Sequence, residues 1–131
     1  MKMKLSKAEL AVLHILWSAE GPLSMDEIAK QSSYHFFRET IVRSLVERLI
    51  EKKLVFQAGI YQGFSKEKEI YFPSYAPKIS FTEFYMEQFR DISPHNLFRL
   101  TEKLLRSQKL SPQMLYDLSN IISKRINSLS N

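Results

Sequence analysis

The sequence predicts a mainly α chain with one small β-hairpin, arranged as a three-helix unit closed by the hairpin and followed by a helical C-terminal region. Three observations carry that expectation. Apolar residues recur at three- and four-residue spacing through most of the chain. Serine-led helix starts punctuate it. Strand formers without that spacing concentrate in two short runs, Leu54-Val55-Phe56-Gln57 and Ile70-Tyr71-Phe72.

The first helix is expected from Ser6 to about Glu20. Ser6 with Glu9 three residues on fits a capping box, and Gly21-Pro22 stops the helix. Its apolar residues, from Ala8 and Leu10 to Leu16 and Trp17, wrap most of the circumference, so it is buried on more than one side. Ser24 and Glu27 repeat the capping box and open a short helix to about Gln31, and residues 32–37 read as a turn. A longer helix from about Arg38 to Lys53 sets Ile41, Val42, Leu45, Val46, Leu49 and Ile50 along a core stripe. Thr40, Arg43, Ser44, Glu47 and Glu51 lie opposite. The first strand run then leads through Gly59-Ile60-Tyr61-Gln62-Gly63 to a charged tip, Lys66-Glu67-Lys68-Glu69, and the second strand is ended by Pro73.

The chain is expected to divide into residues 1–76 and 77–131. From about Ser80 an aromatic stripe runs through Phe81, Phe84, Tyr85 and Phe89. Ser93-Pro94 and Ser111-Pro112 are two further helix starts, each a hydroxyl N-cap followed by proline at the first helical position. The helix from Pro94 presents Leu97, Leu100, Leu104 and Leu105, and the last presents Leu115, Leu118, Ile122 and Leu129. Short helices with such apolar faces need a partner surface.

Composition narrows the function. With 131 residues, 44% hydrophobic and 25% charged, the chain sustains a packed core and general disorder is not expected. The absence of cysteine excludes disulfides, thiol nucleophiles, thiolate zinc sites and iron–sulfur clusters. His14, His35 and His95 lie far apart in sequence, and 3 glycines leave neither a dinucleotide fingerprint nor a P-loop. No nucleophile, base and orienting group can be assembled, so no catalytic residue, metal or cofactor is expected, and a small enzyme with a carboxylate site is disfavoured. His14 reads as a packed or partly exposed side chain, His35 as a packed turn aromatic, His95 as an exposed side chain and Trp17 as core. The longest apolar stretch, residues 10–17 interrupted by His14, is too short to span a bilayer, and Met1-Lys2-Met3-Lys4 leads into no cleavage site. A cytoplasmic protein with no membrane partner is expected.

A net charge of +5 and a pI near 9.5 suit a polyanionic partner. A short helix, a turn and a longer helix with a polar outer face suit helix-turn-helix geometry, whose second helix enters the major groove of double-stranded DNA. Its leading turns expose Arg38, Thr40, Arg43 and Ser44, with Arg48, Lys66 and Lys68 assisting at phosphates. Ile41 lies at the edge of the core stripe and either touches a thymine methyl or packs inward. Glu47, four residues after Arg43, is expected to pair with it on the surface instead of contacting a cytosine. The same helix on a solvated surface has no DNA role, and residues 1–76 hold only eleven basic against nine acidic residues. The alternative is therefore a winged-helix adaptor that meets protein and does not bind DNA specifically.

Several segments carry a resemblance. Leu5-Ser6-Lys7-Ala8-Glu9-Leu10, continuing through Val12-Leu13 and Ile15-Leu16-Trp17, is similar to the opening of the penicillinase-repressor family, the winged-helix group of beta-lactamase, methicillin-resistance and copper-responsive repressors. Residues 40–53 resemble its recognition helix, Ile70-Tyr71-Phe72-Pro73-Ser74 its wing return strand, and Leu110-Ser111-Pro112 through Leu118 the start of its last helix. The resemblance implies a bacterial repressor: a homodimer whose C-terminal helices interlock while two winged helices occupy a palindromic operator. It implies that Phe81, Phe84, Tyr85, Phe89, Leu115, Leu118 and Ile122 serve dimerisation. Release of the operator would fall to a sensor protease or a small-molecule inducer. Three departures stand out. Ile41 follows Thr40 where the family usually has threonine just before the recognition-helix valine or isoleucine, zero cysteines excludes copper sensing through C-terminal thiols, and the stretch around Lys103-Leu104 lacks an Asn-Phe cleavage pair. The wing is also longer than the resemblance leads one to expect.

Overall fold

The computed structural model describes the backbone of residues 4–32, 38–65 and 68–130, with side chains throughout these except at residues 61–70. The elements are α1 (Lys7–Ser18), β1 (Leu23–Ser24), α2 (Met25–Gln31), α3 (Glu39–Glu51), β2 (Val55–Ser65), β3 (Lys68–Pro77), α4 (Phe81–Gln88), α5 (Pro94–Ser107) and α6 (Pro112–Ser130). Three helices closed by a long hairpin make a winged helix, in a chain that is otherwise helical.

Local chemistry sets the helix starts. The Ser6 hydroxyl accepts the Glu9 N–H at 3.1 Å while the Glu9 carboxylate accepts the Ser6 N–H at 3.0 Å. Ser24 and Glu27 make the same reciprocal pair at 3.2 and 3.0 Å. Both capping boxes satisfy amide donors that a helix start leaves without intrahelical partners. α1 ends at Ser18, two residues before the expected limit, because Ala19 is already extended ahead of Gly21-Pro22. α3 ends in a left-handed residue, Lys53, at φ 62°. The Leu54 N–H donates to the Leu49 carbonyl and the Lys53 N–H to the Ile50 carbonyl, each at 2.9 Å. This is a Schellman closure, and Leu49 and Leu54 supply its apolar contact from inside the core.

The core gathers Val12, Leu13 and Leu16 from α1, Ile28 from α2, and Val42, Leu45, Val46 and Leu49 from α3. Leu54, Val55, Leu23 and Tyr75 close it from the sheet side. Ile41 and Ile50, placed on the core stripe by periodicity, are both exposed. They flank the buried stripe on its two sides, so the buried face is narrower than the spacing suggested.

The sheet differs from the sequence expectation in three ways. β1 is an additional strand of two residues, pairing Leu23 with Tyr75 and Ser24 with Ser74, and the strand order is β1-β3-β2. The glycine-punctuated segment after Gln57 is strand, with one irregularity between Gln57 and Gly59, and the ladder runs from Val55↔Pro77 to Ser65↔Lys68. Pro73 does not end β3, which continues to Pro77. Pro73 lies just past the last β1 pair, where β3 has a neighbour on one side only, and such an open edge accommodates a residue without an N–H.

The chain forms two compact units, Met1–Arg90 and Asp91–Asn131. α4, which the sequence reading set in the C-terminal region, belongs to the first. Phe84 is 3% exposed, Trp17 donates its indole N–H to the Ile79 carbonyl at 2.8 Å, and the rings of Phe81, Phe84 and Tyr85 pack around Trp17 at centroid distances of 5.4–6.2 Å. In the second unit the Ser93 and Ser111 hydroxyls accept the Asn96 and Met114 N–H groups, each at 3.1 Å. No residue of α5 or α6 is buried. Among the described residues no helix is long and apolar enough to cross a membrane.

Candidate nucleic-acid interface

The interface candidate is built on α2 and α3. α2 is held by its capping box at one end; at the other the buried Ser32 hydroxyl donates to the Ala29 carbonyl at 3.0 Å. α3 anchors Val42, Leu45, Val46 and Leu49 inward, and those four positions fix its rotation. The opposite face must then meet water. Arg38, Thr40, Arg43, Ser44, Glu47 and Arg48 are all exposed, as is Ile41. Arg38 stands at the N-cap and makes no side-chain capping bond.

The structure brings together on one helix six of the eight sequence-predicted DNA contacts: Arg38, Thr40, Ile41, Arg43, Ser44 and Arg48. Lys66 lies outside the described residues. Lys68 opens β3 opposite Ser65, and its side chain also lies outside them. His35 and most of the 32–37 turn fall there too. The expected Arg43–Glu47 ion pair is absent among the described residues; between two solvated side chains its gain is too small to hold one geometry.

Charge along α3 alternates, with Arg38, Arg43 and Arg48 interleaved by Glu39, Glu47 and Glu51 and two lysines closing the helix. A shallow cleft between α2, the start of α3 and β3 is lined by Asp26, Glu27, Lys30, Glu39 and Phe72. Asp26 and Lys30 form an ion pair at 3.0 Å there, which raises the Lys30 pKa above its ordinary value. This flank is acidic on balance, so the exposed positive charge of α3 lies on Arg38, Arg43 and Arg48. Among the described residues no group of three or more His, Asp or Glu side chains is arranged to hold a metal.

The expected dimerisation residues have different fates. Phe84 is buried inside the first unit. Tyr85 is half-buried, and its hydroxyl is 2.9 Å from His14 Nε2. Phe81, Phe89, Leu115 and Ile122 are exposed, and Leu118 is half-buried. Phe98 and Ile126 are exposed as well and were not singled out from the sequence, although both lie at helical spacing from leucines or isoleucines that were considered. Lys52 pairs with the buried Glu9 at 2.7 Å, and a separation of 43 positions leaves no local signal of it in the sequence.

The penicillinase repressor family model matches residues 5–124. No curated protein matches the chain. Among solved structures, a mutant of MepR from a multidrug-resistant S. aureus clinical isolate aligns with 92% of this chain and 76% of its own, at 16% identity and a TM-score of 0.41. The family match spans every element from α1 into α6. The chain therefore belongs to the penicillinase repressor family, and is a DNA-binding transcriptional repressor and not an enzyme.

Proposed function

We propose that the chain acts as a homodimer that sets α3 of each protomer into the major groove of a palindromic operator. The observation supporting this is the contrast between the two faces of α3. Its inward stripe is buried against α1 and α2, while Arg38, Thr40, Ile41, Arg43, Ser44 and Arg48 face water. Arg43 can reach a guanine edge with two parallel hydrogen bonds, and the hydroxyls of Thr40 and Ser44 can donate to or accept from base edges. Arg38 and Arg48 take phosphates on either side and fix the register. Lys66 and Lys68 are assigned to the backbone of the adjacent groove. Repression needs no bond chemistry, only occupancy of the site.

Dimerisation is assigned to the exposed apolar faces of α5 and α6, together with Phe81, Tyr85 and Phe89; Leu115, Leu118 and Ile122 form the α6 stripe. A two-fold axis then sets the half-sites one or two helical turns apart, at about 10 bp per turn. Methylation protection of guanine N7, which lies in the major groove, tests the reading. Two symmetric protected patches at that spacing are expected. Protection of the minor groove alone, or none, would contradict it.

A further inference from the structure

We infer that Ile41 reads a thymine, its side chain packing on the 5-methyl group of one T·A pair in each half-site. The inference rests on the repressor reading above and adds a base identity to it. Ile41 is the third residue of α3, in the first turn, where a recognition helix reaches base edges. Its neighbours Val42 and Leu45 are 0% and 4% exposed, yet Ile41 is 45% exposed. Three and seven residues on, Ser44 and Arg48 line up with it along the same side of the helix, and both are exposed. A branched apolar side chain thus projects among a hydroxyl and a guanidinium on the surface proposed to enter the groove.

The major groove offers such a group one complement. Guanine presents N7 and O6, adenine N7 and its amino group, cytosine its amino group, and only thymine presents an apolar methyl. Opposite any other base, Ile41 would strip water from a polar edge and return no hydrogen bond. Its β-branch also restricts χ1 in a helix, so little side-chain freedom is lost when the contact forms. The same residue therefore favours thymine and disfavours the other three bases at one position.

The test uses the full chain and duplexes enriched by it from a randomised pool. Each thymine is replaced in turn by deoxyuridine, which lacks only the methyl. At one thymine per half-site the replacement should weaken binding about 4-fold, equivalent to about 0.8 kcal/mol for one buried methyl. Ile41→Ala should bind the unsubstituted duplex more weakly and lose that penalty at that position alone. Ile41→Val, which keeps the branch, should retain it. No penalty at any thymine, or one that persists unchanged in Ile41→Ala, overturns the thymine contact and leaves the repressor reading standing. A pool that yields no enriched sequence overturns both.

Discussion

Lys52 Nζ lies 2.7 Å from Glu9 Oε2 and 3.1 Å from the Lys4 carbonyl oxygen, tying the C-terminal cap of α3 to the start of α1. Glu9 is buried and already accepts the Ser6 N–H in the capping box. Burial pushes its carboxyl pKa up. The Lys52 hydrogen bond and those from the Ser6 backbone and hydroxyl pull it down further, leaving it below the ordinary value of 4.5. One carboxylate thus fixes both the first turn of α1 and the far end of the candidate recognition helix.

Lys52→Met should lower stability by about 1–2 kcal/mol at neutral pH, since a charged hydrogen bond disappears and leaves a buried carboxylate. The half-exposed lysine keeps the figure modest. The pH dependence follows from the depressed pKa. Glu9 contributes its full stabilisation above the unfolded value of 4.5 and loses it as pH falls through the lower folded value. Urea unfolding at about pH 7 and about pH 3 checks this. The gap between wild type and Lys52→Met should narrow on acidification, and a constant gap would count against the linkage.

Lys53 holds φ 62° at the end of α3, a conformation that disfavours a residue with a Cβ. Lys53→Gly should raise stability by about 0.5–1 kcal/mol, after allowing for the greater freedom of glycine in the unfolded chain. Lys53→Ala should be close to neutral. A thermal melt that ranks alanine above glycine would contradict the closure described.

Phe84 and Phe81 lie on one short helix but should behave differently. Phe84→Ala opens a cavity beside Trp17 and should cost about 3–4 kcal/mol. Phe81 is half exposed, meeting Trp17 in a T-shaped pair and Tyr85 at a tilt, so Phe81→Ala should cost about 1 kcal/mol. Chemical denaturation of the two variants separates them.

The exposed stripe on α6 gives a prediction about assembly. Leu115→Glu and Ile122→Glu place charges in the proposed dimer contact, where burial without a partner is prohibitive. Light scattering should show a dimer for the unaltered chain and a monomer for both variants at micromolar concentration. A chain that is monomeric without substitution would remove the dimer from the account.

What is legible in the sequence is local. Ser6 with Glu9, Ser24 with Glu27 and the two Ser-Pro pairs announce helix starts, because capping chemistry operates within four residues. Val42, Leu45, Val46 and Leu49 of the α3 stripe follow from periodicity, and with them the outward position of Thr40, Arg43 and Ser44, whereas the exposure of Ile41 and Ile50 at its margins does not. What is not legible depends on residues distant in sequence. β1 exists only because Leu23 and Ser24 meet Tyr75 and Ser74. Strand continues through Gly59 and Pro73 because β2 and β3 pair along their length, whereas local propensity points to a break. Phe84 falls in the dimerisation set implied by the resemblance, since nothing near it in sequence reveals that Trp17, 67 positions earlier, supplies its pocket.

The most direct measurement of the central claim is a fluorescence-anisotropy titration of the full chain. The probes are DNA from upstream of its own gene and unrelated DNA of equal length, at several salt concentrations. The account predicts a preference of ~10³-fold or more for the upstream fragment, weakening steeply with salt. Arg43→Ala should erase most of that preference while leaving weak, salt-sensitive binding to both fragments. Equal affinity for the two fragments at every salt concentration, or a preference that Arg43→Ala leaves intact, would contradict α3 as the reading element.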